Sequence, residues 1–313
     1  MTSHSVCILG GTGFVGSHLA SRLVNRGHHV KVLTRHRHRH RALLVLPLLE
    51  LIECDVHNPA ELTQHFQGCD TVINLVGILN EFGGTRRFAT AHVDLAKTVV
   101  EACRDAGVAR LLHMSALNAA PDAPSRYLRS KGEAENQVHA AGAPFMSVTS
   151  FRPSVIFGPG DGFLNLFAGL LRRIPVALPL ACPGARFAPV YVGDVADALI
   201  AALDDPTHAG KRIELCGPES YTLRELVAYA ARMINRKRWI IGLPDWASKL
   251  QARVMAFAPG KPFTLDNYQS MQVDSVCRGG GHCPTPMDAV VPHYLGDAAR
   301  DLRMQRDRET VRS

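Results

Sequence analysis

The sequence has no long uninterrupted hydrophobic run. Its longest apolar stretch, Ala42–Ile52, is broken by Pro47 and Glu50, and it is far shorter than the ~20 apolar residues of a membrane-spanning helix. We therefore expect no spanning helix. Because Met1–Ser5 leads directly into a predicted strand, we also expect no N-terminal targeting signal. The expected location is cytoplasmic, and a peripheral position at the inner face of a membrane stays open.

The cysteines lack the spacing of a disulfide framework or a zinc site. All eight are scattered along the chain, several of them in apolar strand-like runs, so we interpret them as reduced core thiols of a cytosolic protein. Cys277, His282 and Cys283 combine two metal-ligand types, but their spacing matches no zinc pattern. We expect no metal.

Acidic residues are absent before Glu50, and the formal net charge is +7. A positive charge suits an anionic ligand, an anionic membrane surface or a nucleic acid. Because no motif combines aromatic and basic residues in the manner of a recognition surface, nucleic acid is not an expected partner. With 46% hydrophobic residues, the chain can bury a large core and form one or two domains.

Short β-branched runs alternate with helix-period stretches in the first half of the chain, which is typical of βαβ units around a parallel sheet. We predict an α/β fold: a Rossmann-like doubly wound parallel sheet with a smaller C-terminal substrate lobe. The predicted domains are 1–157, which binds a dinucleotide and receives part of the later chain, and 158–313. The predicted strands are Val6–Leu9, His29–Thr34, Leu49–Cys54, Thr71–Val76, Ala109–Met114, Phe145–Phe151 and Arg212–Leu215. The predicted helices are Phe14–Arg26, Pro59–Phe66, His92–Ala106, Ser125–Ala141, Val192–Leu203, Thr222–Ile234 and Pro244–Phe257.

A glycine-rich loop lies between the first predicted strand and the first predicted helix. Either reading of its glycines, G-x-G-x-x-G or G-x-x-G-x-x-G, supplies a tight turn, a close approach for a pyrophosphate and close packing of helix on strand. The helix N-terminus adds free N–H groups and a positive partial charge. We predict a dinucleotide site here; the alternative is a glycine-rich turn without a ligand. The predicted contacts are Gly10, Gly11, Thr12, Gly13, Phe14, Val15 and Gly16.

The end of the second strand favours NADP(H) over NAD(H). An NAD site normally carries an acidic residue there for the ribose 2′-OH, whereas this chain has Arg35, followed by alternating Arg and His up to Arg41. A guanidinium can pair with a 2′-phosphate and lie against the adenine. The later arginines are better interpreted as a solvated loop. Further cofactor contacts are predicted after the third and fourth strands, at Asp55, Val56, Val76 and Gly77.

Tyr127 and Lys131 are the candidate catalytic pair. Their i, i+4 spacing on a predicted helix places both side chains on one face. A nearby ammonium stabilises a phenolate, so the phenol can act as acid or base while hydride moves to or from a nicotinamide. Ser115, at the end of the fifth strand, is the candidate for holding a substrate carbonyl or hydroxyl. The alternative is a helix-surface Tyr–Lys pair without turnover.

The predicted helix Pro244–Phe257 is amphipathic. We favour a helix whose apolar face packs into the core; the alternative is a helix on a membrane surface or against a partner. Its apolar face comprises Trp246, Leu250, Val254 and Phe257, opposed by Lys249 and Arg253.

An ordered series of motifs resembles the atypical extended short-chain dehydrogenase/reductases. Within that family the chain is most similar to the nucleotide-binding accessory subunit of respiratory complex I and its bacterial relatives. The likeness runs from Val6 to the Asn267 region. The motifs are Gly10–Gly16, Asn74–Leu79, His113–Leu117, Ser125–Lys131, Arg152–Pro159 and Pro189–Val195.

The resemblance implies a tightly bound NADPH and a link to quinone-related respiration, through complex I or through ubiquinone biosynthesis. One departure concerns Ser115: Ala116 follows it where many extended enzymes carry a second serine, and Tyr127 comes only 12 positions later. This spacing leaves open whether Ser115 reaches a substrate. The implied cofactor contacts are the glycine loop, Arg35, Asp55, Tyr127 and Lys131, with Pro153, Ser154 and Val155 capping the nicotinamide pocket.

Two hypotheses remain at this level. The first is an NADPH-dependent oxidoreductase, or a sugar-epimerase-like relative, acting on a quinone, a sterol-like compound or another small carbonyl compound. The second is a non-catalytic NADPH-binding assembly protein of a membrane respiratory complex.

Overall fold

The computed structural model describes residues 3–82 and 87–296. The chain forms two compact units. The first comprises the residues up to Pro153 together with Gly193–Leu215, and the second comprises Ser154–Val192 and the residues from Cys216 onward.

The strands are β1 (Ser5–Leu9), β2 (His29–Thr34), β3 (Leu49–Glu53), β4 (Thr71–Asn74), β5 (Arg110–Met114), β6 (Ser147–Pro153), β7 (Ile156–Phe157), β8 (Ala177–Leu180), β9 (Arg186–Phe187), β10 (Val190–Tyr191), β11 (Arg212–Leu215), β12 (Tyr221–Thr222) and β13 (Trp239–Gly242). The α-helices are α1 (Phe14–Asn25), α2 (Pro59–Phe66), α3 (Leu95–Ala106), α4 (Arg126–Gly142), α5 (Leu164–Arg173), α6 (Val192–Asp204), α7 (Leu223–Met233), α8 (Asp245–Met255), α9 (Leu265–Ser270) and α10 (Val291–Leu295). Short 3₁₀ helices occupy Arg37–Arg39, Arg41–Leu43, Pro206–His208 and Met287–Ala289, and a π-helix occupies Ala89–Asp94.

The first unit is built on a seven-stranded parallel sheet. Its strand order is β11-β6-β5-β4-β1-β2-β3, and each neighbouring pair is parallel. The order reverses between β1 and β4, and in such sheets ligands bind outside the carboxyl ends of the strands at this switch point. The predicted Rossmann-like α/β fold is confirmed.

Helices cover the sheet, which is why its central strands are apolar on both faces. On one face, Phe66 of α2, Val99 of α3 and Val138 of α4 share a buried core with Val72 and Leu111 of the strands. A separate contact joins two other helices: Arg22 and Arg26 of α1 each pair with Asp197 of α6 at 2.8 Å.

Several predicted boundaries shift by one to three residues. The predicted helix His92–Ala106 begins instead as the π-helix Ala89–Asp94, which continues into α3. The predicted strand Phe145–Phe151 begins at Ser147, because Phe145 lies in a turn where its N–H donates to the Gly142 carbonyl.

The second unit has its own core and carries one disulfide. Residues of α5, α7 and α10 form a buried cluster that includes Leu171, Val227 and Val291. Cys216 and Cys277 are bridged, with their Cα atoms 6.0 Å apart. The interpretation of all eight cysteines as reduced thiols is therefore wrong for this pair; the other six form no disulfide.

The expectation that α8 packs its large apolar residues into the core is also wrong. Trp246, Leu250, Val254 and Phe257 are exposed, whereas the small residues Ser248 and Ala252 are buried. Ser248 accepts a hydrogen bond from the Cys182 N–H at 3.1 Å. The side of α8 with small side chains thus packs on the rest of the second unit because it permits a close approach, and the side with large side chains faces outward.

In the part of the chain that the structure describes, no helix is both long and apolar enough to cross a bilayer. The same residues contain no group of three or more His, Cys, Asp or Glu side chains arranged to hold a metal ion.

Candidate functional site

The glycine loop joins β1 to α1 at the switch point of the sheet. Gly10 adopts a left-handed conformation with φ +76°, which favours glycine. A Cβ on Gly16 would lie 2.4 Å from the Gly10 carbonyl oxygen, so a glycine is needed for α1 to pack this closely. Within the described residues, no side chain caps α1 and no acidic residue lies in its first turn. The loop therefore fits a diphosphate, which would accept hydrogen bonds from the free helix N–H groups.

The remaining loop residues surround this turn. Gly13 is the N-cap residue of α1 and is exposed. Gly11 is buried, and Thr12, Phe14 and Val15 are half-buried.

Arg35 lies at the carboxyl end of β2. It follows the buried Thr34 and has an exposed side chain. An acidic residue that the sequence reasoning did not consider lies on the neighbouring strand: Glu53 pairs in register with Thr34 and accepts the backbone N–H of Arg37 at 3.1 Å. Both a guanidinium and a carboxylate are thus found at this edge of the sheet.

Asp55 and Val56 follow β3. Asp55 is exposed and Val56 half-buried. The Asp55 carboxylate accepts the N–H of His57 at 3.0 Å, while its own N–H donates to Glu61 at 3.0 Å. The turn that carries the predicted adenine contact is therefore fixed by local hydrogen bonds.

Lys131 of α4 is held at the carboxyl ends of β4 and β5. Its side chain is buried, with 4% exposure, and its Nζ donates to the carbonyls of Met114 at 3.0 Å and Val76 at 3.4 Å. A Cβ on Gly77 would lie 3.0 Å from this Nζ. Burial lowers the pKa of Lys131 to about 8, partly offset by Glu135. Gly77 thus leaves the space that the ammonium occupies beside the switch point.

Tyr127 lies one helical turn before Lys131 on α4 and is half-buried. Its ring makes edge-on contacts with Phe88 and His92, at centroid distances of 6.0 and 5.8 Å. Phe88 and His92 belong to the π-helical segment and its cap, and such segments are frequent at functional sites. The two rings position the phenol.

A hydrogen-bonded chain fixes His92 in one tautomer. The Ile78 N–H donates to His92 Nε2 at 3.1 Å, so Nδ1 carries the proton and donates to Ser130 Oγ at 2.8 Å. Ser130 in turn donates to the Tyr127 carbonyl at 2.8 Å. Burial, together with the Lys131 ammonium, lowers the pKa of His92 to about 2. The neutral ring therefore ties the loop after β4 to the first turn of α4.

Ser115 is buried, and its hydroxyl donates to Glu135 at 2.5 Å. Glu135 is fully buried and also pairs with Arg152 at 2.8 Å and Arg212 at 2.5 Å. The hydroxyl proton of Ser115 is thus committed to a buried ionic network. A role for Ser115 in holding a substrate stays a prediction.

Pro153 ends β6 in the first unit, and Ser154 and Val155 begin the second. Ser154 is buried and donates to the Ser275 carbonyl at 2.6 Å. The half-buried Val155 accepts the Val190 N–H at 2.9 Å. Within the second unit both residues are held by backbone contacts.

Glu135 and His92 are among the members of this site that the sequence reasoning missed. Glu135 extends the i, i+4 series of Tyr127 and Lys131 by one turn, so the helical spacing could have identified it. His92 offered no such signal, because its partners Ile78 and Ser130 lie 14 and 38 residues away along the chain.

Known proteins resemble this chain in sequence and fold. The model of the NAD dependent epimerase/dehydratase family matches residues 6–216. NADH dehydrogenase (ubiquinone) 1 alpha subcomplex subunit 9, mitochondrial, of Mus musculus is 32% identical over 278 residues, which cover 86% of this chain and 72% of the mouse protein. Ceramide reductase of Caulobacter vibrioides is 33% identical over 241 residues, covering 77% of this chain and 74% of that protein.

Among solved structures, UDP-glucuronic acid 4-epimerase from Bacillus cereus, in complex with UDP-glucuronic acid and NAD, has a TM-score of 0.66. It is 20% identical, and the match covers 76% of this chain and 86% of that one. An identity this low supports the fold alone. Since the family model spans about two thirds of the sequence and includes the glycine loop, Tyr127 and Lys131, the chain belongs to the NAD dependent epimerase/dehydratase family.

Proposed function

We propose that this protein is an NADP(H)-dependent oxidoreductase that reduces a small carbonyl or quinone compound in quinone-related respiratory metabolism. The observation that carries the proposal is the buried ammonium of Lys131, one helical turn from Tyr127 and beside Gly77 at the carboxyl edge of the sheet. Burying a charged lysine is unfavourable, and a lysine with a shifted pKa in such a position is typical of functional sites.

In the proposed reaction, bound NADPH would supply a hydride to the carbonyl carbon. Tyr127 donates its phenolic proton to the carbonyl oxygen. The product is an alcohol for an aldehyde or ketone, whereas a quinone that takes up one hydride and one proton becomes a hydroquinone. The Lys131 ammonium stabilises the resulting phenolate, which then regains a proton from solvent. His92 and Phe88 act as positioning residues that hold the Tyr127 ring.

Cofactor choice rests on Arg35. Its exposed guanidinium, at the end of β2, suits a 2′-phosphate. Glu53 opposes this preference as a carboxylate on the neighbouring strand, but its Oε2 already accepts the Arg37 N–H. The charge balance of this edge, with Arg35, Arg37 and Arg39 against Glu53, supports the phosphorylated cofactor.

A second candidate is a non-catalytic NADP(H)-binding assembly protein, peripheral at the inner face of a membrane and associated with a respiratory complex. Two observations favour it. The mouse relative is named as a subunit of NADH dehydrogenase, and the Ser115 hydroxyl is bound to Glu135. The Caulobacter relative, named a reductase, favours the first candidate.

The test is NADPH oxidation by the purified full chain, with a water-soluble quinone and with a ketone-bearing lipid analogue as acceptors. We expect turnover with one of them and a loss on the order of 10²- to 10⁴-fold in Tyr127→Phe. Tyr191→Phe, at a half-buried tyrosine of the second unit, is the matched control. Full turnover in Tyr127→Phe would remove Tyr127 from the mechanism. Tight NADPH binding without turnover on either acceptor would favour the second candidate.

A further inference from the structure

The second unit presents an exposed surface made of large apolar side chains. We call it the docking face and define it by Trp246, Leu250, Val254 and Phe257. Their exposed fractions are 71%, 52%, 63% and 92%. With 3.6 residues per turn, the three positions on α8 (Trp246, Leu250 and Val254) fall within an arc of about 80°. Phe257 lies just beyond the end of α8, in a turn closed by its N–H and the Val254 carbonyl at 3.2 Å.

The helix is oriented against the usual rule for globular proteins. Its buried side consists of the small residues Ser248 and Ala252, while its largest side chains face outward. Amphipathic helices normally direct their large apolar side chains to the core. Exposed apolar side chains are ordinary when scattered singly, but grouped as a patch they indicate an interaction site.

Basic residues border the docking face. Lys249 and Arg253 are exposed. At about 100° per residue, they lie beside the apolar arc, within about 60° of Trp246. They do not oppose it, as the sequence alone suggested. From Arg232 to Lys261 the chain has seven basic residues and one acidic residue, Asp245. Asp245 accepts a hydrogen bond from the Tyr268 hydroxyl at 2.6 Å.

A cavity with basic residues in its wall is lined by α7 and by the segment between α7 and β13. Its volume is about 630 Å³, and Arg232, Arg236, Lys237 and Arg238 line it together with Trp239. Trp239 is 73% exposed. Trp239 and Trp246 are the two tryptophans of the chain, and both are exposed.

We propose that the docking face binds the surface of an anionic lipid bilayer, with its apolar side chains among the lipid headgroups and acyl-chain ends and its basic residues paired with lipid phosphates. A helix of this composition, with Lys and Arg beside Trp, Leu and Phe, is typical of interfacial binding, and tryptophan favours the membrane–water interface. At 11 residues, α8 is about 16 Å long, which suits a helix lying in the membrane surface.

Charge favours a bilayer over the other possible occupants. A second copy packed on the same face would bring two basic surfaces together, which is unfavourable. Each Lys or Arg near an anionic membrane strengthens binding by about fivefold. This inference deepens the membrane association of the second candidate function, but it does not depend on cofactor binding.

The experiment is flotation of the full chain with vesicles of phosphatidylcholine alone and with vesicles containing phosphatidylglycerol, followed by intrinsic fluorescence. Because Trp246 lies on the docking face and is 71% exposed, we expect a blue shift and reduced acrylamide quenching with anionic vesicles. Trp246→Ser/Phe257→Ser should weaken vesicle binding by at least about tenfold, and Lys249→Glu/Arg253→Glu by at least about 25-fold. Val45→Ser is the matched control, since Val45 is 80% exposed in the first unit.

NADPH affinity is measured on the same preparations. Unchanged NADPH binding with lost vesicle binding in the docking-face variants supports the inference, and it also shows that the variants fold. No flotation of the wild type with anionic vesicles, equal flotation of the variants, or a dimer in solution that the variants dissociate would each overturn it. Loss of NADPH binding in the wild type would instead overturn the proposed function and leave this inference standing.

Discussion

Replacing Lys131 by methionine should stabilise the protein near neutral pH and abolish turnover. Methionine keeps a comparable length and volume without the charge. Burial lowers the pKa of Lys131 from 10.5 to about 8. Each tenfold change in proton affinity corresponds to about 1.4 kcal/mol, so holding the charged form in the folded state costs about 3 kcal/mol. The lost hydrogen bonds to the Met114 and Val76 carbonyls offset about 1 to 2 kcal/mol of this gain.

The sign of the pH dependence follows from the two proton affinities. Below about pH 8 Lys131 is charged in both folded and unfolded chains, so the wild type carries the full penalty. Between that pH and 10.5 the unfolded chain binds more protons, and the free energy of unfolding of the wild type rises with pH. Lys131→Met lacks this rise. The advantage of the variant should therefore shrink as pH rises, by about 3 kcal/mol over the whole range.

The assay is urea unfolding of both proteins at a series of pH values from about 7 to about 10, compared as differences so that other titrating groups cancel. Lys97→Met removes an exposed ammonium from α3 and controls for the change in net charge. The difference in the free energy of unfolding between Lys131→Met and the wild type should therefore change with pH. If it stays constant, burial does not lower the pKa of Lys131.

Four further outcomes are expected. Arg35→Gln should weaken NADPH binding by about 10- to 100-fold and change NADH binding little, because it removes a charge-assisted hydrogen bond. Arg41→Gln is the control, and equal losses for both cofactors would contradict the assignment of Arg35 to the 2′-phosphate. Gly16→Ala should abolish cofactor binding or lower the free energy of unfolding by about 2 kcal/mol or more, since its Cβ would lie 2.4 Å from the Gly10 carbonyl oxygen. If the variant binds the cofactor as tightly as the wild type, this loop is not the diphosphate site. Glu135→Gln should destabilise the fold by about 2 kcal/mol, because the loss of charge disrupts its pairs with Arg152 and Arg212. Thermal unfolding measures the loss of stability, with Glu133→Gln as the control, and an unchanged Tm would contradict the prediction. Gly77→Ala should lower turnover by displacing the Lys131 ammonium, which lies 3.0 Å from the added methyl position; normal turnover in that variant would show that the position of Lys131 is not critical.

The fold was predictable because its signals are local. Runs such as Val6–Leu9 and Arg212–Leu215 are recognisable as strands from their own composition, and Gly10–Gly16 lies between a strand and a helix. The pairing of Cys216 with Cys277 was not predictable, since 61 residues separate them and cysteine spacing alone does not determine connectivity.

The orientation of α8 and the surroundings of the predicted catalytic residues depend on tertiary packing. An amphipathic pattern shows that a helix has two faces, but it does not show which face the rest of the unit covers. Around Ser115 the decisive neighbour is Glu135, 20 residues later. Spacing placed Tyr127 and Lys131 on one helical face, whereas the contacts that bury Lys131 come from the ends of two strands.

Calorimetric titration of the purified full chain with NADPH and with NADH tests the central claim most directly. If the glycine loop binds the diphosphate and Arg35 binds the 2′-phosphate, NADPH should bind with one site per chain and at least about tenfold more tightly than NADH. Tighter binding of NADH, or no heat of binding with either dinucleotide, would contradict the account.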